Sequence, residues 1–226
     1  MNFWLGLAKS DVSNLGFQIV DSAGEYATQY SFFDVMQTYS PDIIIAGAHG
    51  GPSTLTGQGL NEVLKACFNN EVLSGKVMCA ISCLTGQRLG PDSRGKTAKA
   101  YIGFVNEFTW VVSPPYNPAS DRAAFPSQQI VREIVRLSAQ YELDQISLKE
   151  VYDGIAGEFD RQIQYYSIPP GSEDPYAMDI LLSLRHDKNG VLTMGEEGRY
   201  VAPAVLLATP AIIAVGAVAS MLPFLL

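Results

Sequence analysis

Residues 42–48, DIIIAGA, run apolar from Ile43 onward and end in His49-Gly50. A continuous apolar run of this length, stopped by Pro41 on one side and a glycine loop on the other, reads as a strand buried on both faces of a parallel sheet. Residues 76–82, KVMCAIS, repeat the pattern and end in Cys83. Between them lie a Gly/Ser/Thr loop over 50–59 and a segment expected to be helical over 60–68. A right-handed crossover makes two such strands neighbours, so His49 and Cys83 are expected on one edge of the sheet. That edge lies outside the carboxyl ends of the strands, where open α/β sheets bind their ligands.

Outward from this pair, residues 17–21 (FQIVD) predict a short strand and residues 26–39 a helix closed by Pro41. Beyond Cys83 come a second Gly-rich loop over 84–95, a short helix, a strand over 108–112 and a proline-rich loop over 113–126. Helices are expected over 127–140 and 148–165. Segments 178–185 and 191–194 flank Asp187-Lys188-Asn189-Gly190, where Asn-Gly favours a tight hairpin. Strands alternating with helices predict an α/β fold over residues 1–198, a mostly parallel sheet sandwiched by helices in one domain.

Residues 201–226, VAPAVLLATPAIIAVGAVASMLPFLL, carry no charge. As a helix they would reach ~39 Å against a hydrocarbon core of about 30 Å, and they lack the polar face of a helix buried in a soluble protein. Residues 199–226 are therefore expected to form a single-pass C-terminal transmembrane anchor with the lipid bilayer as partner. A helix buried in an oligomer is the other way to hide them. The N-terminus, MNFWLGLAKSDV, has no basic run followed by a cleavable apolar stretch, and the cysteines, Cys67, Cys79 and Cys83, are odd in number. Both features point to reduced thiols and a domain facing the cytoplasm. A net charge of −8 opposes nucleic acid and anionic lipid headgroups, so no nucleic-acid partner is expected. Cys79 and Cys83 are spaced C-x-x-x-C on one strand, with the two histidines far apart in sequence, so neither a metal nor a cofactor is expected.

A thiol and an imidazole converging at strand ends define a chemistry. His49 can take the proton of Cys83, the sulfur can attack a carbonyl carbon, and the backbone N–H groups of Gly50 and Cys83 can hold the oxyanion that develops. Each residue alone has a plainer reading, the cysteine as a small buried hydrophobe and the histidine as a satisfied polar group. Each, however, ends an apolar strand and is followed within three residues by glycine, Gly50 and Gly86.

The two blocks IIIAGAHG (43–50) and VMCAISCLTG (77–86) resemble the signature blocks of the caspase-like cysteine peptidases, the group of caspases, metacaspases, gingipains, separases and CHAT domains. The resemblance spans residues 17 to about 194, and GKTAKAYIG (95–103) is similar to CHAT-like members. It implies a His49/Cys83 dyad that cleaves peptide bonds in a protein or peptide substrate. Only 16 residues precede Phe17, too few for the strand and helix with which that family begins. Metacaspases carry an acid two residues before the cysteine. Here that position is Ile81, so no preference for Arg or Lys is implied. Asp21 and Asp92, at a strand end and in a loop, are candidates for lining a specificity pocket.

Residues 90–97, GPDSRGKT, match the phosphate-binding pattern G-x-x-x-x-G-K-[ST], which makes nucleotide hydrolysis an alternative. Residues 83–89 intervene between this motif and its strand, however, and no acid ends a later apolar strand. A caspase-like scaffold that binds partners without cutting is the remaining alternative.

Overall fold

The computed structural model describes residues 2–114, 117 and 120–201. The chain begins with helices α1 (Asn2–Asn14) and α2 (Gln29–Tyr39), then strand β1 (Ile43–Gly47). Three short strands follow, β2 (Gly50–Gly51), β3 (Thr54–Thr56) and β4 (Glu62–Lys65), which form a small antiparallel sheet. Strand β5 (Val77–Ile81), helix α3 (Leu89–Gly95) and strand β6 (Ala100–Phe104) come next, then helices α4 (Phe125–Glu142), α5 (Leu148–Ser167) and α6 (Ala177–Gly190). Strands β7 (Val191–Gly195) and β8 (Gly198–Val201) complete the main sheet, whose order is β1-β5-β6-β7-β8. The pairs β1/β5 and β5/β6 are parallel, and β6/β7 and β7/β8 are antiparallel. Every strand but β7 therefore points the same way, and the fold is mixed α/β with a mostly parallel sheet.

The alternation of side chains across β5 and β6 builds two cores. Val77, Cys79, Ile81, Ala100, Ile102 and Phe104 face a helical layer that includes Trp4 of α1, Ile130 and Ile134 of α4 and Phe159 of α5. Met78, Ala80 and Tyr101 face the opposite way, against Leu64, Leu73 and Leu89. Full burial of each such aliphatic side chain stabilises the fold by about 1.5–3 kcal/mol, so two apolar faces hold β5 and β6 in place. β1 is an edge strand among the described residues, and all five of its positions are half-buried.

Helix ends follow local chemistry. Thr28 caps α2 by accepting from Ser31 N, and Ser40, at φ 44°, ends it just ahead of Pro41. Ser147 and Glu150 form a capping box at the start of α5.

Several expected elements differ. Residues 17–21 pair with no strand among the described residues, and Ile19 and Val20 are exposed. Segment 60–68 contains a strand in place of a helix, because Leu64 pairs with Leu55 across β3 and β4 and both side chains are buried. The strand expected over 108–112 forms earlier, at Ala100–Phe104, where five consecutive residues are fully buried. The second half of loop 84–95 is α3. No Asn-Gly hairpin exists: Ala177, Ile180, Leu181 and Leu184 are buried at helical spacing, so 177–190 is one helix that passes directly into β7. Arg199, Tyr200 and Val201, assigned to the anchor by sequence, pair with β7, and the rest of the expected transmembrane segment lies outside the described residues.

Candidate active site

The parallel register of β1 and β5 sets the geometry. Gly47 lies opposite Ile81, and one residue further Ala48 N donates to Ile81 O at 3.4 Å. His49-Gly50 and Ser82-Cys83 therefore leave the sheet side by side at the carboxyl end of the strands. Gly50 touches the Cys83 backbone: a Cβ there would lie 2.6 Å from Cys83 O and 3.1 Å from Ser82 Cβ. Only a residue without a side chain allows that approach.

The backbone around both residues is held on each side. His49 O accepts from Thr56 N at 3.0 Å and from Thr56 Oγ1 at 3.1 Å, while the imidazole itself is exposed. In the antiparallel β2/β3 pair, Gly50 and Leu55 then face each other as the non-hydrogen-bonded pair, so the ladder leaves Gly50 N–H unused. On the cysteine side, Leu84 takes φ 62° and its N–H donates to Asn106 O at 3.0 Å. Ser82 Oγ and Thr85 Oγ1 are 3.0 Å apart, and Gly86 N donates to Phe104 O at 2.8 Å. This turn presents Cys83 half-buried at the end of β5.

Phe108, Glu107 and Asp187, which sequence reading did not connect with Cys83, are its neighbours in the fold. Cys83 Sγ faces Phe108 O at 4.0 Å, which brings the segment from Asn106 to Thr109 alongside it. Asp187 is buried and accepts from Thr109 N at 3.0 Å and from Thr109 Oγ1 at 3.0 Å. His186 Nε2 lies 3.1 Å from Glu107 O and 3.8 Å from Glu107 Oε2. The sequence signal for Asp187 and His186 was the helical spacing of 177–184, obscured by the Asn-Gly pair. Glu107 carried no signal, because its place depends on where β6 ends.

Burial pushes the Cys83 thiol above its ordinary range, backbone hydrogen bonding at Phe108 opposes that, and the carboxylates of Glu107 and Asp187 add to the rise. The net direction is upward, opposite to the lowering that a neighbouring imidazolium gives. Burial holds Asp187 well above the usual carboxylate range. Cys79 is fully buried in the sheet, and desolvation pushes its thiol up to about 12.

The two carboxylates expected to line a pocket are engaged elsewhere. Asp21 is ion-paired with Lys9 beside the outer edge of β1. Asp92, on α3, accepts from Cys67 N at 2.7 Å and from Cys67 Sγ at 3.1 Å, and these bonds lower its pKa. Cys67 sits in the turn after β4 in place of the expected helix. The phosphate-loop motif is mostly helix: α3 takes Leu89–Gly95, so its backbone N–H groups do not line an open cradle. Lys96 pairs with Glu71 at 3.3 Å and lies 3.9 Å from Asp92, and Thr97 Oγ1 is 2.6 Å from Ser74 Oγ.

Among known proteins, no family model, no curated protein and no solved structure matches this chain. The functional reading therefore rests on the geometry just described.

Proposed function

We propose that this chain is a caspase-like cysteine endopeptidase that cleaves protein substrates through His49 and Cys83. The observation that carries this reading is the register of β1 and β5, which leads both residues off the same end of the sheet, with Gly50 packed on the Cys83 backbone. Cys83 rests as a neutral thiol, since its pKa is raised, so the base must act during attack. His49 takes the thiol proton as Sγ bonds to the scissile carbonyl carbon, and the carbonyl π pair moves onto oxygen. The N–H groups of Gly50 and Cys83 stabilise that oxyanion. Collapse of the adduct breaks the C–N bond, and the imidazolium protonates the leaving amine. Water, deprotonated by His49, then hydrolyses the thioester and returns the proton to sulfur.

The uncharged run over 202–226 supports a membrane anchor that follows β8 directly. The three unpaired thiols suit a reducing compartment, with the domain on the cytoplasmic side.

A peptidyl acyloxymethyl ketone tests the proposal. It labels the wild-type chain at Cys83 and fails on Cys83→Ala, and absence of labelling at Cys83 rejects it. A non-cutting scaffold is the second reading, favoured by the burial that raises the Cys83 thiol. It predicts that no such probe reacts there.

A further inference from the structure

The two ends of the main sheet differ in charge. Asp42, Lys76 and Lys99 stand at the amino ends of β1, β5 and β6, and the turn from β7 to β8 at that same end is Glu196-Glu197. At the carboxyl end the residues next to the strands are Ala48, Ser82 and Val105, with Gly190 leading into β7 and Ala202 following β8 in sequence. Each strand is thus flanked by charge at one end and by an uncharged residue at the other. Beyond those flanks, the charged side chains Arg88, Glu107 and His186 include both signs. His49 and Cys83 leave the sheet from this uncharged end.

β8 runs with β1, β5 and β6, so it also finishes there. Val201 pairs with Leu192, and Leu192 with Gly103. Gly103 follows Ile102, the partner of Cys79, so Val201 stands level with Ala80, about 10 Å short of Cys83 along the sheet. Sideways, β8 is three strands from β5, roughly 14 Å away. The last described residue therefore stands beside the site, and β8 points towards the end of the sheet from which Cys83 emerges.

A membrane span takes about 20 of residues 202–226. About five are left between β8 and the hydrocarbon, and fully extended they reach ~17 Å. Such a tether holds the mouth of the site close to the lipid headgroups. Turning the domain over would send the chain back along the sheet and bring Asp42, Glu196 and Glu197 to an anionic leaflet surface, which repels them.

We propose that the carboxyl end of the sheet faces the bilayer and that the substrates are juxtamembrane segments of proteins embedded in the same membrane. The proposal rests on the peptidase and anchor readings. Its basis is the direction of β8 together with the uncharged flanks of the strands at that end.

The test reconstitutes the full chain in phosphatidylcholine vesicles that carry an energy acceptor on their headgroups. In a Cys67→Ser, Cys83→Ala background, a donor dye is attached to Gln87→Cys or to Glu196→Cys. Gln87 marks the carboxyl end, where its Nε2 donates to Val105 O at 2.8 Å, and buried Cys79 takes no dye. Transfer from position 87 should exceed transfer from position 196. In the same vesicles, the wild-type chain meets one acyloxymethyl-ketone peptide in three forms: free, on a fatty-acyl chain through a short spacer, or through a long one. The short-spacer probe should label Cys83 about tenfold faster than the free peptide, through effective concentration at the surface, and at least as fast as the long-spacer probe. Transfer from position 196 as strong as from position 87, or a short-spacer probe that fails where the long-spacer probe labels, overturns the orientation and leaves both readings standing. Release of the full chain by carbonate rejects the anchor, and a Cys83 that reacts with iodoacetamide but with no form of the probe rejects the peptidase. Either result takes this proposal with it.

Discussion

Gly50 and Cys83 touch through their backbones: a methyl group on Gly50 would stand 2.6 Å from the Cys83 carbonyl oxygen and 2.7 Å from Thr85 Cγ2. Gly50→Ala must therefore push two strand ends apart. The expected cost is about 1–3 kcal/mol of stability, because the overlap falls on backbone that cannot rotate away. Probe labelling of Cys83 should fall about a hundredfold, since a shift of an ångström suffices to misalign the attack. Wild-type labelling in a folded Gly50→Ala variant would mean that the contact does not position the nucleophile.

The three cysteines should separate by reactivity. Cys67 is exposed, Cys83 half-buried with a raised pKa, and Cys79 wholly buried with a pKa of about 12. Iodoacetamide should modify Cys67 first, Cys83 next and Cys79 only on unfolding. Only the thiolate reacts, so the Cys83 rate should climb with pH to a plateau beyond the ordinary thiol value of about 8.5. Mass spectrometry of timed digests measures all three, and a Cys83 plateau below neutral pH would contradict the burial argument.

Asp187 should make the fold less stable as pH rises. Its folded pKa lies well above the unfolded value of about 3.9, so the folded state holds the proton longer. Stability is then greatest below the unfolded pKa and is lost as pH rises towards the folded one. Asp187→Asn keeps an acceptor for Thr109 and removes the buried charge. The variant should match wild type near pH 4 and exceed it in urea midpoint at pH 8. Equal midpoints at both pH values would show that Asp187 titrates normally.

On the proposed anchor reading, the folded domain ends with β8. A chain ending at Val201 should be soluble without detergent, whereas the full-length chain should resist carbonate extraction from membranes. Ending at Gly198 should cost more stability than ending at Val201. That cut removes Arg199 and Tyr200 from their pairing with Met194 and Thr193, and removes the Tyr200 ring from Tyr152 at 6.3 Å. A monodisperse full-length protein in plain buffer would reject the anchor.

The sequence alone determined strands β1 and β5 and the residues that end them. The runs IIIAG and VMCAI are apolar throughout, which suits β5, buried at all five positions, whereas β1 at the sheet edge is half-buried along its length. It also determined α2, α4 and α5, whose apolar spacing is a local signal, reinforced by the caps at α2 and α5. Tertiary structure decided everything that depends on pairing or burial. Residues 17–21 have strand propensity but no partner in register, whereas Leu64 becomes a strand residue because Leu55 lies opposite it. The Asn189-Gly190 pair, a strong turn signal in isolation, was overridden by the core contacts of Ile180 and Leu184. The surroundings of Cys83 belong to the same class. Glu107 and Asp187 are 24 and 104 positions beyond it, and no spacing rule connects them. Only the folding of β6 beside β5 and the entry of α6 into β7 bring their charges to the sulfur and, together with burial, reverse the direction in which its pKa moves. Chemistry that rests on residue type is legible in a sequence; electrostatics, which depends on distance and desolvation, exists only after the chain has folded.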